Sequence, residues 1–179
     1  ALSVSMLASM HAVQTTHMHH HRHCLDDDDV EAMQVRWPMW RVLLDGPCFA
    51  WRLHRHAWRL VAVNKRRWIA GELLAMAACV VLAYGVFDSV ALRWHVTAML
   101  IGECFTGFFA VWIVHRGCDR HSVARSQRGW LRNCVSYSRF CHLEHHLYPA
   151  VPTCHLPELA ARLDAARGRS PALQLLAVR

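Results

Sequence analysis

The sequence predicts an all-α protein: an integral membrane helical protein with a transmembrane hairpin and histidine-bearing helices on its cytoplasmic side. Three observations predict it. Hydrophobic residues make up 54% of the 179 and concentrate between Trp68 and Val114. Arg, His and Trp crowd both flanks of that stretch, as they do where a membrane segment meets water. The spacing H-x-x-H-H occurs twice, in His17-Met18-His19-His20-His21 and in His142-Leu143-Glu144-His145-His146. On a helix, positions i, i+3 and i+4 share one face, so each triplet can present three imidazoles to a metal.

The elements follow in chain order. Residues 1–12 read as the end of an apolar helix that leads into the first triplet. Asp26 to Asp29 form an acidic run, either a solvated loop or a source of carboxylates that orient the ligating imidazoles, and the sequence does not select which Asp would do so. Trp37 to Trp40 and Pro47 to Arg59 mix aromatic and basic residues and suit the membrane interface. Two spans then follow, Ile69 to Val90 (69–90) and His95 to Val114 (95–114). Each has about 20 residues, which at about 1.5 Å per residue reaches across a hydrocarbon core of about 30 Å. The turn from Phe87 to Trp94 carries one basic residue, Arg93, whereas Arg52, Arg55, Arg59, Lys65, Arg66 and Arg67 precede the hairpin and Arg116, Arg120, Arg125, Arg128 and Arg132 follow it. That bias places both outer ends, and with them both triplets, in the cytoplasm of a multi-pass membrane protein, most simply a bacterial inner membrane protein. A chain that crosses twice returns to its starting face, and the triplets can then share one site.

Charged residues inside the spans have structural readings. Glu72 and Asp88 can reach an interface by snorkelling or act as caps, and Glu103, deeper, is expected to be protonated and hydrogen-bonded between helices. Among the other histidines, His19 and His23 point off the ligating face and should be surface residues. His54, His56 and His95 lie among interfacial aromatics and are not expected to ligate. His115 ends the second span on the cytoplasmic side and is a candidate further ligand. His155 follows Pro152 and is read as a local cap or a support for the site.

Composition narrows the function. A net charge of +7 and a mean hydropathy of +0.12 accompany no DNA or RNA recognition motif, so anionic lipid headgroups, not nucleic acid, are the expected partner. Eight cysteines without a C-x-x-C pair read as reduced thiols. Neither triplet is H-E-x-x-H, and six or more imidazoles exceed what one zinc takes, so two metals are implied, with Fe, Zn, Cu and Ni all suited to imidazole. A metal transporter would place its ligands within the bilayer, whereas these triplets lie outside the spans.

The residues also carry a resemblance. Thr16 to His23 resembles the second histidine box of the membrane fatty-acid desaturase family, and Ala124 to Trp130 with His142-Leu143-Glu144-His145-His146-Leu147-Tyr148-Pro149 through Pro152 resembles its third box and flanks. The likeness runs through nearly the whole chain, to Leu156-Pro157-Glu158-Leu159, and implies one desaturase domain over 1–179. It also implies a cytoplasm-facing centre of two Fe ions that uses O2 as co-substrate to remove two hydrogens from an acyl chain. The substrate would be an acyl lipid, acyl-CoA or acyl carrier, with electrons from a donor such as ferredoxin or a b-type cytochrome. The metal ligands would be His17, His20, His21, His115, His142, His145 and His146, and the acyl chain would enter a tunnel around Phe105, Phe108 and Trp112. Related lipid or carotenoid hydroxylases and ketolases use nearly the same boxes, and ligand spacing does not separate them.

Two departures stand out. The family's first box, H-x-x-x-H, has no counterpart, since His11 lies too near the second box and lacks a partner four residues away. The chain therefore reads as an N-terminally truncated fragment, without a signal-peptide pattern, inactive by itself and with the first box expected upstream of Ala1. Some relatives carry Asn one turn before the additional His, where this chain has Val111.

Overall fold

A computed structural model describes residues 1–167, so the last twelve residues of the expected domain 1–179 lie outside the described part. The described residues are helical, with one isolated antiparallel bridge between Ser126 and Cys141 and no strand. They form two compact units, Ala1–Val111 and a second that begins at Trp112.

The first unit opens with α1 (Leu2–Met6) and α2 (Met10–Arg22). These are not one continuous helix, as the apolar pattern suggested. Leu7 adopts φ 49°, a left-handed conformation that ends α1, and Ser9 begins α2 by accepting a hydrogen bond from the Ala12 N–H. The reason lies in a later helix, α5 (Arg66–Gly85): the Glu72 carboxylate accepts from Ser3 Oγ (2.6 Å), Ser9 Oγ (2.5 Å) and the His11 N–H (3.2 Å), and it meets His11 Nδ1 at 2.8 Å. Glu72 thus holds the junction of α1 and α2 instead of snorkelling to an interface. His54 adds to the same junction. Its Nδ1–H donates to the Ala50 carbonyl, which leaves Nε2 to accept from the Ser9 N–H at 3.1 Å.

Helix α3 (Met39–Leu44) leads into α4 (Gly46–Leu60), whose residues Phe49, Leu53 and Ala57 recur every four positions and are buried, while Trp51 and Trp58 stay exposed. Asp45, just before α4, pairs with Arg52 and Gln34. Phe49 and Leu53 pack with Ala32, Val35 and Val111, and Ala57 with Ala12 of α2 and Ile69 of α5. Helix α4 therefore lies between the first histidine triplet and the membrane-type helices. It approaches α6 (Val90–Thr106) so closely at Gly46 that a Cβ there would sit 1.8 Å from the Cys104 carbonyl oxygen.

Helices α5 (Arg66–Gly85) and α6 (Val90–Thr106) form the hairpin. Both are long and apolar enough to cross a bilayer, over Val63–Gly85 and Val90–His115, and only 11% and 22% of their apolar windows are buried within the structure. A soluble core helix would be mostly covered, whereas here Leu74, Val81, Trp94 and Ile101 are exposed, as suits contact with lipid. The turn is shorter and earlier than hydropathy suggests. The first helix ends at Gly85, not Val90, and the second starts at Val90, not His95, because Ser89 caps it through the Leu92 N–H. Arg93 then closes the turn by donating to the Ala83 and Phe87 carbonyls and pairing with Asp88. Beyond Thr106 the helix widens into a π-helical stretch, Gly107–Trp112, and finishes as α7 (Ile113–His115).

In the second unit the chain turns at Gly117 (φ 73°) and doubles back, so that the Arg125 N–H donates to the Val114 carbonyl. Helix α8 (Trp130–Val135) precedes α9 (His142–Leu147), and α10 (Leu156–Arg167) packs on α9 through Cys141, Leu156 and Ala160.

Candidate metal centre

In the first unit, His17, His20 and His21 lie on α2 as the i, i+3, i+4 spacing requires. His20 and His17 are supported from outside the helix. His20, 1% exposed, places Nδ1 2.8 Å from Asp29 Oδ2, and His17 Nδ1 lies 2.9 Å from Glu31 Oε1. Asp29 is itself fixed by the N–H groups of Leu25 (2.9 Å) and Ala32 (3.1 Å), a geometry that needs Leu25 in the left-handed region (φ 65°). The acidic run therefore contributes Asp29, 2% exposed, to the site. Glu31 has the same role for His17, and sequence reading passed over it because the contact depends on the loop's path and not on a spacing.

The electrostatics follow. Burial alone would strip His20 of its proton, yet the bond to Asp29, with lesser help from Cys24 and the charge of Glu31, outweighs burial and raises its pKa to about 10. Burial works against the charge of Asp29 and Glu31 as well, but their hydrogen bonds to His20 and His17 hold both carboxyls below the usual range. A pocket with this much negative potential favours a cation.

In the second unit, His115 is fully buried and its Nδ1–H donates to the Val123 carbonyl at 2.6 Å. His142, at the start of α9, brings Nε2 to 2.9 Å from His115 Nε2, and the rings of His142 and His146 lie 4.7 and 4.9 Å from that of His115. His145 is adjacent, 5.6 Å from His142 and 5.9 Å from His146 between ring centres. Glu144, between the box histidines, does not join them. It is 1% exposed and bonds Ser126, while Arg128 Nη1 meets it at 2.6 Å and Arg128 Nη2 reaches Asp164 of α10 at 3.0 Å. Burial disfavours the Arg128 charge, but Glu144 and Asp164 more than offset this and raise its pKa. The clamp fixes α9 in rotation, a role without any spacing signal along the chain.

The donor set suits transition metals. Where Nδ1 donates to a carboxylate or carbonyl, Nε2 is the atom left for a metal, which at His20 would take the place of the second proton that Asp29 and Glu31 favour there. The Nε2 atoms of His17 and His21 are 3.1 Å apart, and those of His115 and His142 are 2.9 Å apart. Two nitrogens about 2.1 Å from one ion and at a right angle would be about 3 Å apart. Each pair thus has the separation of neighbouring ligands. Of the remaining histidines, His95 bonds the Ser5 carbonyl and His155 lies in the short turn Thr153–His155, away from these contacts.

Helices fit to cross a bilayer and imidazole clusters backed by buried acceptors define a histidine-box protein of the membrane type. The chain belongs to the fatty acid desaturase family, whose model matches residues 1–174. Members are membrane-associated, oxygen-dependent oxidoreductases that use di-iron centres and act on lipids with electrons from a donor. The chain is also similar to a β-carotene ketolase from Paracoccus sp. (strain N81106 / MBIC 01143), at 30% identity over 161 residues that cover 84% of this chain and 58% of that protein. It therefore spans a little over half the length of that relative. No solved structure matches it.

Proposed function

We propose that the protein is an O2-dependent di-iron acyl desaturase in which His17, His20, His21, His115, His142, His145 and His146 are iron ligands. The observation that carries this reading is the pair of imidazole clusters, each with Nδ1 groups bound to buried or backbone acceptors. Iron held there supplies an oxidant derived from O2 that is strong enough to take hydrogen from an unactivated C–H bond. The chain's own residues hold the geometry. Asp29, Glu31 and the Val123 carbonyl fix imidazole tautomers, and the Arg128–Glu144–Asp164 clamp holds the helix that bears the second triplet. The exposed apolar surfaces of α5 and α6, including Phe105, give an acyl chain a path from the bilayer. Overall, O2 with two electrons and two protons takes two hydrogens from adjacent carbons and leaves a double bond and two waters, the electrons arriving from a ferredoxin or b-type cytochrome.

Likeness to a β-carotene ketolase favours a second reading, in which an oxygen atom enters a carotenoid or related lipid instead. Expression of the complete protein that contains this chain, in a host with a ferredoxin system and both substrates, separates the two. A new unsaturated acyl chain is the expected product. Oxygenated carotenoid without new unsaturation would transfer the assignment to the second reading, and neither product would sink both.

The same proposal sets the orientation. The basic residues that flank the hairpin support a topology with His21 and His146 on the cytoplasmic face and Phe87 on the opposite one. Cysteine labelling at these three positions is expected to find the two histidine sites together and Phe87 apart. Triplets on opposite faces would exclude a shared centre.

A further inference from the structure

Helix α2 and the residue that ends it carry a second histidine pair, off the face of the first triplet. His19 and His23 are one turn apart with their rings stacked at 4.4 Å, and Asp28 reaches toward both, its carboxylate 3.4 Å from His19 Nε2 and 4.0 Å from His23 Nδ1. The three ligand atoms lie within 4.8 Å of one another. His56 of α4 stands edge-on to His19 at 5.2 Å, and its Nε2 is buried without a hydrogen-bond partner. Asp26 adds a further carboxylate 3.8 Å from His23.

We propose that His19, His23 and Asp28 form a structural binding site for a borderline divalent cation, Zn²⁺ foremost, separate from the iron ligands. Two imidazoles and one carboxylate are a sufficient donor set for zinc, with His56 or water in the fourth position. Asp28 is 58% exposed and the His23 side chain 45%, so both can close by the fraction of an ångström to an ångström that coordination requires. The ion would join the end of α2 to the loop that carries Asp29 and Glu31. Its effect is to fix the acceptors of His20 and His17 by tying down the residue beside one of them.

The test is calorimetric titration of Zn²⁺ into the complete, iron-loaded protein in detergent, with iron measured before and after. One equivalent should bind without loss of iron, and both Asp28→Asn and His23→Ala should weaken binding by about tenfold or more while the purified variants keep their iron. Asp28→Asn is isosteric and lies in a loop, so it keeps the test valid if His23→Ala fails to fold. Unchanged zinc affinity in the variants, or zinc uptake only as iron leaves, would overturn the proposal.

Discussion

Alanine at His20 is expected to abolish turnover and lower bound iron in the complete protein. It removes an imidazole that is buried, held by Asp29 and presented with its neighbours at ligand spacing. His17, His21, His142, His145 and His146 should behave alike, since a metal centre depends on each ligand being held closely in place. His115→Ala is the informative member of the series. Sequence spacing did not select it, but its burial, its bond to Val123 and its 2.9 Å approach to His142 give it the same environment as the box residues. Full iron and full turnover in that variant would remove it from the centre. Asp29→Asn should be intermediate, with about 10- to 100-fold weaker iron binding. An Asn N–H facing His20 Nδ1 sets donor against donor and forces the proton to Nε2, where it blocks ligation. His54→Ala should keep its iron and lose about 1 kcal/mol of stability with the acceptor of the Ser9 N–H. Metal analysis of purified variants and lipid product analysis check the whole series.

Gly46→Ala is expected to cost about 3 kcal/mol or more of stability. The added Cβ would lie 1.8 Å from the Cys104 carbonyl oxygen and 2.8 Å from its carbon, both backbone atoms of α6 that cannot rotate away. Relief requires α4 and α6 to separate, which also loosens Phe49 and Leu53 in their cluster. Gly107→Ala should cost less. Its nearest contact, Gln34 Oε1 at 2.7 Å, is the end of a flexible side chain, although the Phe49 ring at 3.0 Å leaves little room. Gly71→Ala is the control, since its Cβ meets nothing, and helix propensity favours alanine there by about 1 kcal/mol. Thermal unfolding in detergent should rank the variants in that order. An unshifted midpoint for Gly46→Ala would show that α4 and α6 are not in contact there.

What the sequence reveals is whatever depends on spacing and hydropathy along a single helix. The triplet of α2 is such a case, because His17, His20 and His21 need only a helix to share a face. The existence of two apolar spans is another. Their ends were not legible: Val86, Phe87, Val90, Ala91 and Leu92 continue the apolar run through the turn, and only the Ser89 cap and the bonds of Arg93 break it. Contacts that join distant segments were equally hidden. Which Asp of the run supports His20 depends on the left-handed turn at Leu25, the part played by Glu31 on where that loop goes next, and that of Glu144 on the placing of α10 beside α9. Glu72 fits the capping alternative of its reading, since it accepts the His11 N–H in the first turn of α2, but its partners were hidden for a related reason. A carboxylate near the end of an apolar helix is usually a solvated residue, and its serine and histidine partners lie 61 to 69 positions earlier in the chain.

That last separation sets an order of assembly. During synthesis α2 emerges well before α5, so Ser9 and His11 wait for Glu72 until α5 has been made. Until then the first turn of α2 is held at its start by His54 of α4 and from its far end by Asp29 and Glu31, but not by a carboxylate of its own. The first turn of the box helix thus takes its final position only after α5 has folded beside it, and a metal bound earlier would meet a half-built cradle. A single carboxylate on an apolar helix makes completion of the helix that bears the first histidine triplet conditional on a segment made later.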